Sequence, residues 1–311
     1  MDRDAIEDRK APAGRRRRRA PIAALIFFLC LAAGALYTAP LWLPVGFSDD
    51  RQAVGMERAL RRWRWSMGLP MPGQPELARL SARLSAQGLA EGAPIFVRIF
   101  KREFELELWM KRDGAFVHFA TYPICVWSGR LGPKLREGDG QAPEGFYSVD
   151  AGALNPNSRY YRSFNVGYPN AFDRSRGRTG SLIMVHGSCA SVGCFAMTDA
   201  QMTEIWQLVT AALRGGQKRF QVQIFPFRLS EARLAAYRDH AEHEFWRTLY
   251  AGQALFDATH LPPRVFACNG DYAFAPAGVY PDGDGGIENG CPAAAAASSS
   301  RPGDLSTAGP W

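Results

Sequence analysis

The chain has no glycine-rich phosphate-binding loop, no internal repeat and no cysteine–histidine cluster with zinc spacing. These absences argue in turn against nucleotide-loop chemistry, a repeat architecture and a structural zinc site. Histidine is scarce, with five in 311 residues, and the loose spacing of His240 and His243 has no second ligand pair to support a metal. Net charge is also small once the first residues are set aside. Residues 1–19 hold eight Lys/Arg and four Asp/Glu, which leaves 29 against 26 in the remainder. A nucleic-acid partner needs a clustered basic face, and the strong cluster, Arg15 to Arg19, adjoins a segment better explained by a membrane.

That segment is Ala20 to Tyr37, eighteen residues without a charge, prolonged by Leu41, Trp42, Leu43 and Val45. It approaches the length that spans a bilayer, and five preceding arginines favour an inside N-terminus. Two forms are open: a signal peptide cleaved near Ala33-Gly34-Ala35, and an uncleaved inner-membrane anchor. Either form exports the rest of the chain, so a periplasmic location is expected.

Of six cysteines, Cys30 lies in that segment, and five remain in a compartment that permits disulfides. An odd number leaves at least one free. A structural disulfide between Cys125 and Cys268 is one expectation.

The organisation reads as a basic leader over 1–19, the signal or anchor over 20–44 and a helical arm over 45–92. A catalytic domain over 93–227, a helical extension over 228–269 and a disordered low-complexity tail over 270–311 complete it. In the arm, Met56, Leu60, Trp63 and Met67 recur at helical spacing, and the arginines read as a solvated face. From Ala93 the apolar period becomes two, with a hairpin turn at Lys111-Arg112-Asp113-Gly114. Thr198 with Gln201 reads as a capping box opening a helix that ends at Gly215-Gly216. Ser230 to Tyr250 reads as one further helix. The fold class is therefore mainly β with peripheral helices, an α+β arrangement.

Chemistry concentrates in Met184-Val185-His186-Gly187-Ser188-Cys189-Ala190-Ser191-Val192-Gly193-Cys194, which runs on towards the capped helix. A thiol attacks as thiolate, and near neutrality it needs a base. His186 is the base expected from its place at the end of an apolar strand. Cys194, after Gly193, is the expected nucleophile, with Gly193 and Cys194 amides as oxyanion donors. Cys189, as nucleophile or as redox partner to Cys194, remains open.

His186-Gly187 followed by Ser191-Val192-Gly193-Cys194 resembles the active site of L,D-transpeptidase catalytic domains of the YkuD type. The closer likeness is to the murein transpeptidase-like Gram-negative branch with its His-Gly-Ser-Cys-x-Ser-x-Gly-Cys pattern. Arg98-Ile-Phe-Lys101, Trp127-Ser-Gly129, Gln141-Ala-Pro-Glu-Gly-Phe-Tyr147 and Phe225-Pro-Phe227 extend it over about 93–227. The wider family has a histidine two residues before the nucleophile; here that residue is Val192, so the base role falls to His186. The resemblance implies a β-sandwich catalytic domain and cysteine acyl transfer through a thioester on peptidoglycan stem peptides, with no metal or organic cofactor. It implies Gly187 and Ser191 as motif residues and, for the acyl acceptor, a second stem or a wall-linked lipoprotein. Arg130, Lys134, Asn157 and Arg159 are candidate contacts to stem carboxylates. A hydrolase of the same bond and a non-catalytic, membrane-anchored wall-binding protein are the alternatives.

Overall fold

The computed structural model describes residues 27–28, 50–278, 280, 282–283 and 285–292. The chain divides into Met1–Ser48 and Asp49–Trp311, and the sheets and the candidate site belong to the second unit. The apolar segment expected to span or leave the membrane, residues 27 and 28 apart, lies outside the described residues, as does the tail beyond residue 292. Among the described residues, no helix is long and apolar enough to cross a membrane.

The alternating pattern after Ala93 becomes strands β1 (Ile95–Phe100), β2 (Glu105–Arg112) and β3 (Ala115–Pro123). β2 and β3 turn on Asp113 and Gly114, both at positive φ, as a tight hairpin requires. Strand β4 (Val126–Trp127) leaves at once for another sheet. Strands β5 (Gly145–Asp150), β6 (Leu154–Asn155), β7 (Ser163–Asn165), β8 (Met184–His186), β9 (Phe195–Ala196) and β10 (Arg219–Phe225) come next. The large sheet has the order β3-β2-β1-β10-β5 and the second the order β4-β9-β8-β7-β6. Both feed one core: Val97, Ile99, Val222 and Ile224 from the first meet Trp127, Phe164, Val185 and Phe195 from the second. β1 is buried along its whole length and pairs in parallel with β10.

Helix α1 (Asp50–Ser66) is fastened to this body by arginines. Arg61 is buried and donates to the Ile124 carbonyl at 2.9 Å, and Arg58 donates to the Gly129 carbonyl at 2.9 Å. The expectation that these arginines form a solvated face fails for these two, because their donors satisfy carbonyls at the mouth of the β4 loop. Helix α2 (Leu80–Ala86) is tied in by Arg83, which reaches both oxygens of the buried Glu204.

Helix α3 (Ala171–Ser175) is capped by Asn170. Helix α4 (Asp199–Arg214) opens on the Thr198–Gln201 capping box expected from the sequence. The expected single helix over Ser230 to Tyr250 is instead α5 (Glu231–Ala236) and α6 (His243–Thr259). Residues between them turn so that Tyr237 and His240 pack on Trp246, which a continuous helix would not allow.

The expectation of disorder from residue 270 is corrected for the described part. Strands β11 (Arg264–Cys268), β12 (Asp271–Ala275) and β13 (Glu288–Asn289) form a third sheet closed by a Cys268–Cys291 disulfide. Tyr272 is buried there and accepts from the Asn170 side chain at 2.7 Å. Composition hid this segment because its glycines and prolines outnumber its apolar anchors.

Candidate active site

Strands β8 and β9 lie side by side in parallel, with Val185 opposite Phe195 and His186 opposite Ala196. Because the pair is parallel, the loop between them crosses back from the end of β8 to the start of β9, which sets Cys194, just before Phe195, against Met184 at the start of the strand that ends in His186. Met197 N–H donates to the His186 carbonyl at 2.7 Å and Cys189 N–H to the Met197 carbonyl at 3.2 Å, which closes the base of the loop.

Cys189 is bonded to Cys125 on the segment entering β4. The expected Cys125–Cys268 pairing is therefore wrong, and Cys189 has no free thiol to offer as a nucleophile. Cys194 is the free cysteine among the described residues and is partly exposed. Its Sγ lies 3.4 Å from the Met184 amide and 3.7 Å from the Leu182 carbonyl. Burial pushes the Cys194 thiol up, while the Met184 amide and the charge of Lys134 pull it partly back. The resting group is thus a thiol, which needs a base at the moment of attack.

His186 is buried, and its Nδ1 sits 2.6 Å from the Gly187 carbonyl. A carbonyl can only accept, so Nδ1 carries the proton in that bond and Nε2 is left with its lone pair. Burial lowers the imidazole below its ordinary value, with the Gly187 bond opposing. The ring is neutral at neutral pH and can take a proton. Tyr160 covers it at 5.2 Å between ring centres.

The loop is held from several sides. Ser191 Oγ donates to the Cys194 carbonyl at 2.6 Å, so the 2.7 Å contact with Ser128 Oγ has Ser128 as donor. Asp199 accepts from Ser188 N–H at 2.7 Å. A side chain at Gly187 would place its Cβ 2.5 Å from Asp199 Oδ1 and 3.1 Å from Tyr161 Cβ. Gly193 has φ of +108°, a backbone that favours glycine. Strand β9 stands between Cys194 and helix α4, whose first turn carries the acidic Asp199.

Arg62, Tyr160, His186, Cys189, Ala190, Ser191, Val192 and Cys194 line a pocket of about 290 Å³. Arg62 and Tyr160 had no signal in the motif. Arg62 comes from the helical arm, whose charges read as surface, and Tyr160 comes from a turn with only polar neighbours. The other expected carboxylate contacts are placed elsewhere. Lys134 is buried, with its ammonium on Asp139 and the Arg136 carbonyl. Arg130 lines a separate recess of about 340 Å³ with Arg136 and Gln141. Asn157 and Arg159 are exposed on the turn before Tyr160. Among the described residues, no His/Cys/Asp/Glu group of three or more could hold a metal.

Residues 96–224 match the L,D-transpeptidase catalytic domain family known as YkuD. The chain is 45% identical over 178 residues to "Putative L,D-transpeptidase YafK" of Escherichia coli (strain K12), covering 57% of this chain and 72% of the relative. The protein of the same name in Escherichia coli O157:H7 gives the same figures. Among solved structures, a mutant of the helical cell shape determining protein Pgp2 from Campylobacter jejuni aligns at 21% identity with a TM-score of 0.37, over 58% of this chain and 65% of that one. Bdellovibrio bacteriovorus Bd1075 aligns at 19% identity with a TM-score of 0.32, over 52% of this chain and 60% of that one. The chain thus spans slightly less than two thirds of either solved protein.

Proposed function

Because this chain belongs to the L,D-transpeptidase catalytic domain family, we propose that it is a peptidoglycan L,D-transpeptidase with Cys194 as nucleophile and His186 as base. The observation that carries this reading is the pairing of the free Cys194 thiol with a neutral, Nε2-open His186 in one pocket, while Cys189 is spent in a disulfide.

In the first step Cys194 Sγ attacks the carbonyl carbon between the L-centre of a diamino acid and a D-residue of a stem peptide. His186 Nε2 takes the thiol proton as the S–C bond forms. The carbonyl oxygen becomes an oxyanion facing the Gly193 and Cys194 amides. Collapse breaks the C–N bond, and the departing amine of the D-residue receives the proton from His186. The product is a thioester. An amine from a second stem, or from a wall-linked lipoprotein, then attacks that thioester, gives its proton to His186, and the Cys194 thiolate leaves and is reprotonated.

Arg62 supplies the cation that the pocket needs for a stem carboxylate. Two five-stranded sheets on a shared core support the β-sandwich reading of the domain. Export through the N-terminal apolar segment would place the site in the periplasm, where its substrate lies, with the domain tethered to the inner membrane if that segment is retained.

Incubating the full chain with muropeptides and reading products by mass spectrometry tests this. Dimers joined through the diamino acid, with loss of the D-residue and none from Cys194→Ala, are the expected result. Trimmed stems without dimers would make the protein a hydrolase of the same bond. Intact binding with no product from the wild-type chain would make it a wall-binding protein.

A further inference from the structure

We infer that the outer face of α1 rests on a lipid bilayer. A surface helix ordinarily turns its apolar stripe to the core and its charges to water. Helix α1 is inverted. The side that meets the body carries Val54, Arg58 and Arg61, with the two guanidiniums on the Gly129 and Ile124 carbonyls. The opposite side carries Met56, Leu60 and Trp63, and Met67, just past the last residue of the helix, follows them at the same spacing of four, three and four residues. They are 74%, 46%, 53% and 61% exposed. At 1.5 Å per residue the stripe is about 16 Å long.

Two observations select the occupant. The apolar run that ends at Val45 lies five residues before Asp50, and five extended residues reach at most about 18 Å. Wherever that run meets a bilayer, α1 therefore begins close to its surface. Tryptophan on an amphipathic helix suits the headgroup boundary, where its ring is buried and its N–H stays wet. The stripe is too apolar for water and continuous in sequence with a lipid-seeking segment. Arg62, next to the stripe in sequence, lines the Cys194 pocket, so the same helix would serve a bilayer and a substrate.

The inference does not depend on the reaction at Cys194, because its readout is the position of Trp63. The full chain is reconstituted in nanodiscs of phosphatidylcholine and phosphatidylglycerol with brominated acyl chains, and tryptophan emission is compared for the wild type and Trp63→Phe. The emission that the substitution removes is expected to be quenched by about half or more by the brominated chains. If that emission ignores bromine and is quenched by aqueous iodide, the face lies in water and the inference fails. It fails equally if mass photometry finds two chains per disc and Trp63→Glu reduces them to one, since the stripe then covers a second copy. Trp63 is half exposed, so neither substitution disturbs the core.

Discussion

Val192 stands beside the nucleophile and is 89% exposed, so the position that carries a base in the wider family pattern points to solvent here. The proton must go elsewhere, and His186 is the residue with a free ring nitrogen in the pocket. With the imidazole lowered and the thiol raised by burial, the proposed reactive pair is neutral His186 and protonated Cys194. Protonating His186 removes the base, so kcat/KM is expected to fall as pH drops through a midpoint below the usual imidazole value of about 6.5. A pH profile of the wild type against His186→Ala, in which that acid limb disappears together with a ~10²–10⁴-fold loss of rate, checks the assignment. At Gly187 there is no room for a methyl group, and Gly187→Ala is expected to cost about 1–3 kcal/mol of stability, read as a lowered Tm. That His186 and Cys194 meet in one pocket was legible because both stand in one short motif between neighbouring strands. The partner of Cys189 was not, since Cys125 reaches it only through the pairing of β4 with β9, which no local pattern announces.

Among the elements, α4 was readable to the residue because a capping box is a local hydrogen-bond exchange written in two side chains. Thr198→Ala is expected to cost about 1 kcal/mol in denaturant unfolding. Its effect should extend to the site, because Asp199 in the same first turn holds Ser188. The break between α5 and α6 was hidden, since the aromatic residues there keep helical spacing while packing on one another across a turn. The loop over 128–144 is held by a pair that composition also conceals. Lys101 and Glu144 are fully buried, 2.8 Å apart, with Glu144 also accepting from Gly132 N–H and Trp246 Nε1–H. Burial lowers the Lys101 ammonium and Glu144 opposes that shift. Lys101→Met strands the carboxylate and is expected to destabilise the chain by about 3–5 kcal/mol, read by urea titration.

At the scale of the molecule, the alternating pattern gave the strands, but their neighbours came from packing. The segment after residue 269 shows why: its few anchors, Tyr272 above all, reach Asn170 and the β5 backbone, contacts visible only in three dimensions. A chain ending at residue 269 is expected to lose β12, β13 and the Cys268–Cys291 bond, and to melt at markedly lower temperature by calorimetry. The parallel pairing of β1 with β10 has a consequence in time. A chain that emerges from a translocation pore N-terminus first delivers β1 long before its inner neighbour. Residues 184–196, which hold the thiol and the base, emerge between the two. If the chain is exported as proposed, the Cys194 thiol reaches the oxidising side before the sheet behind it can close, and during that interval its protection depends on Cys189 choosing Cys125 rather than Cys194.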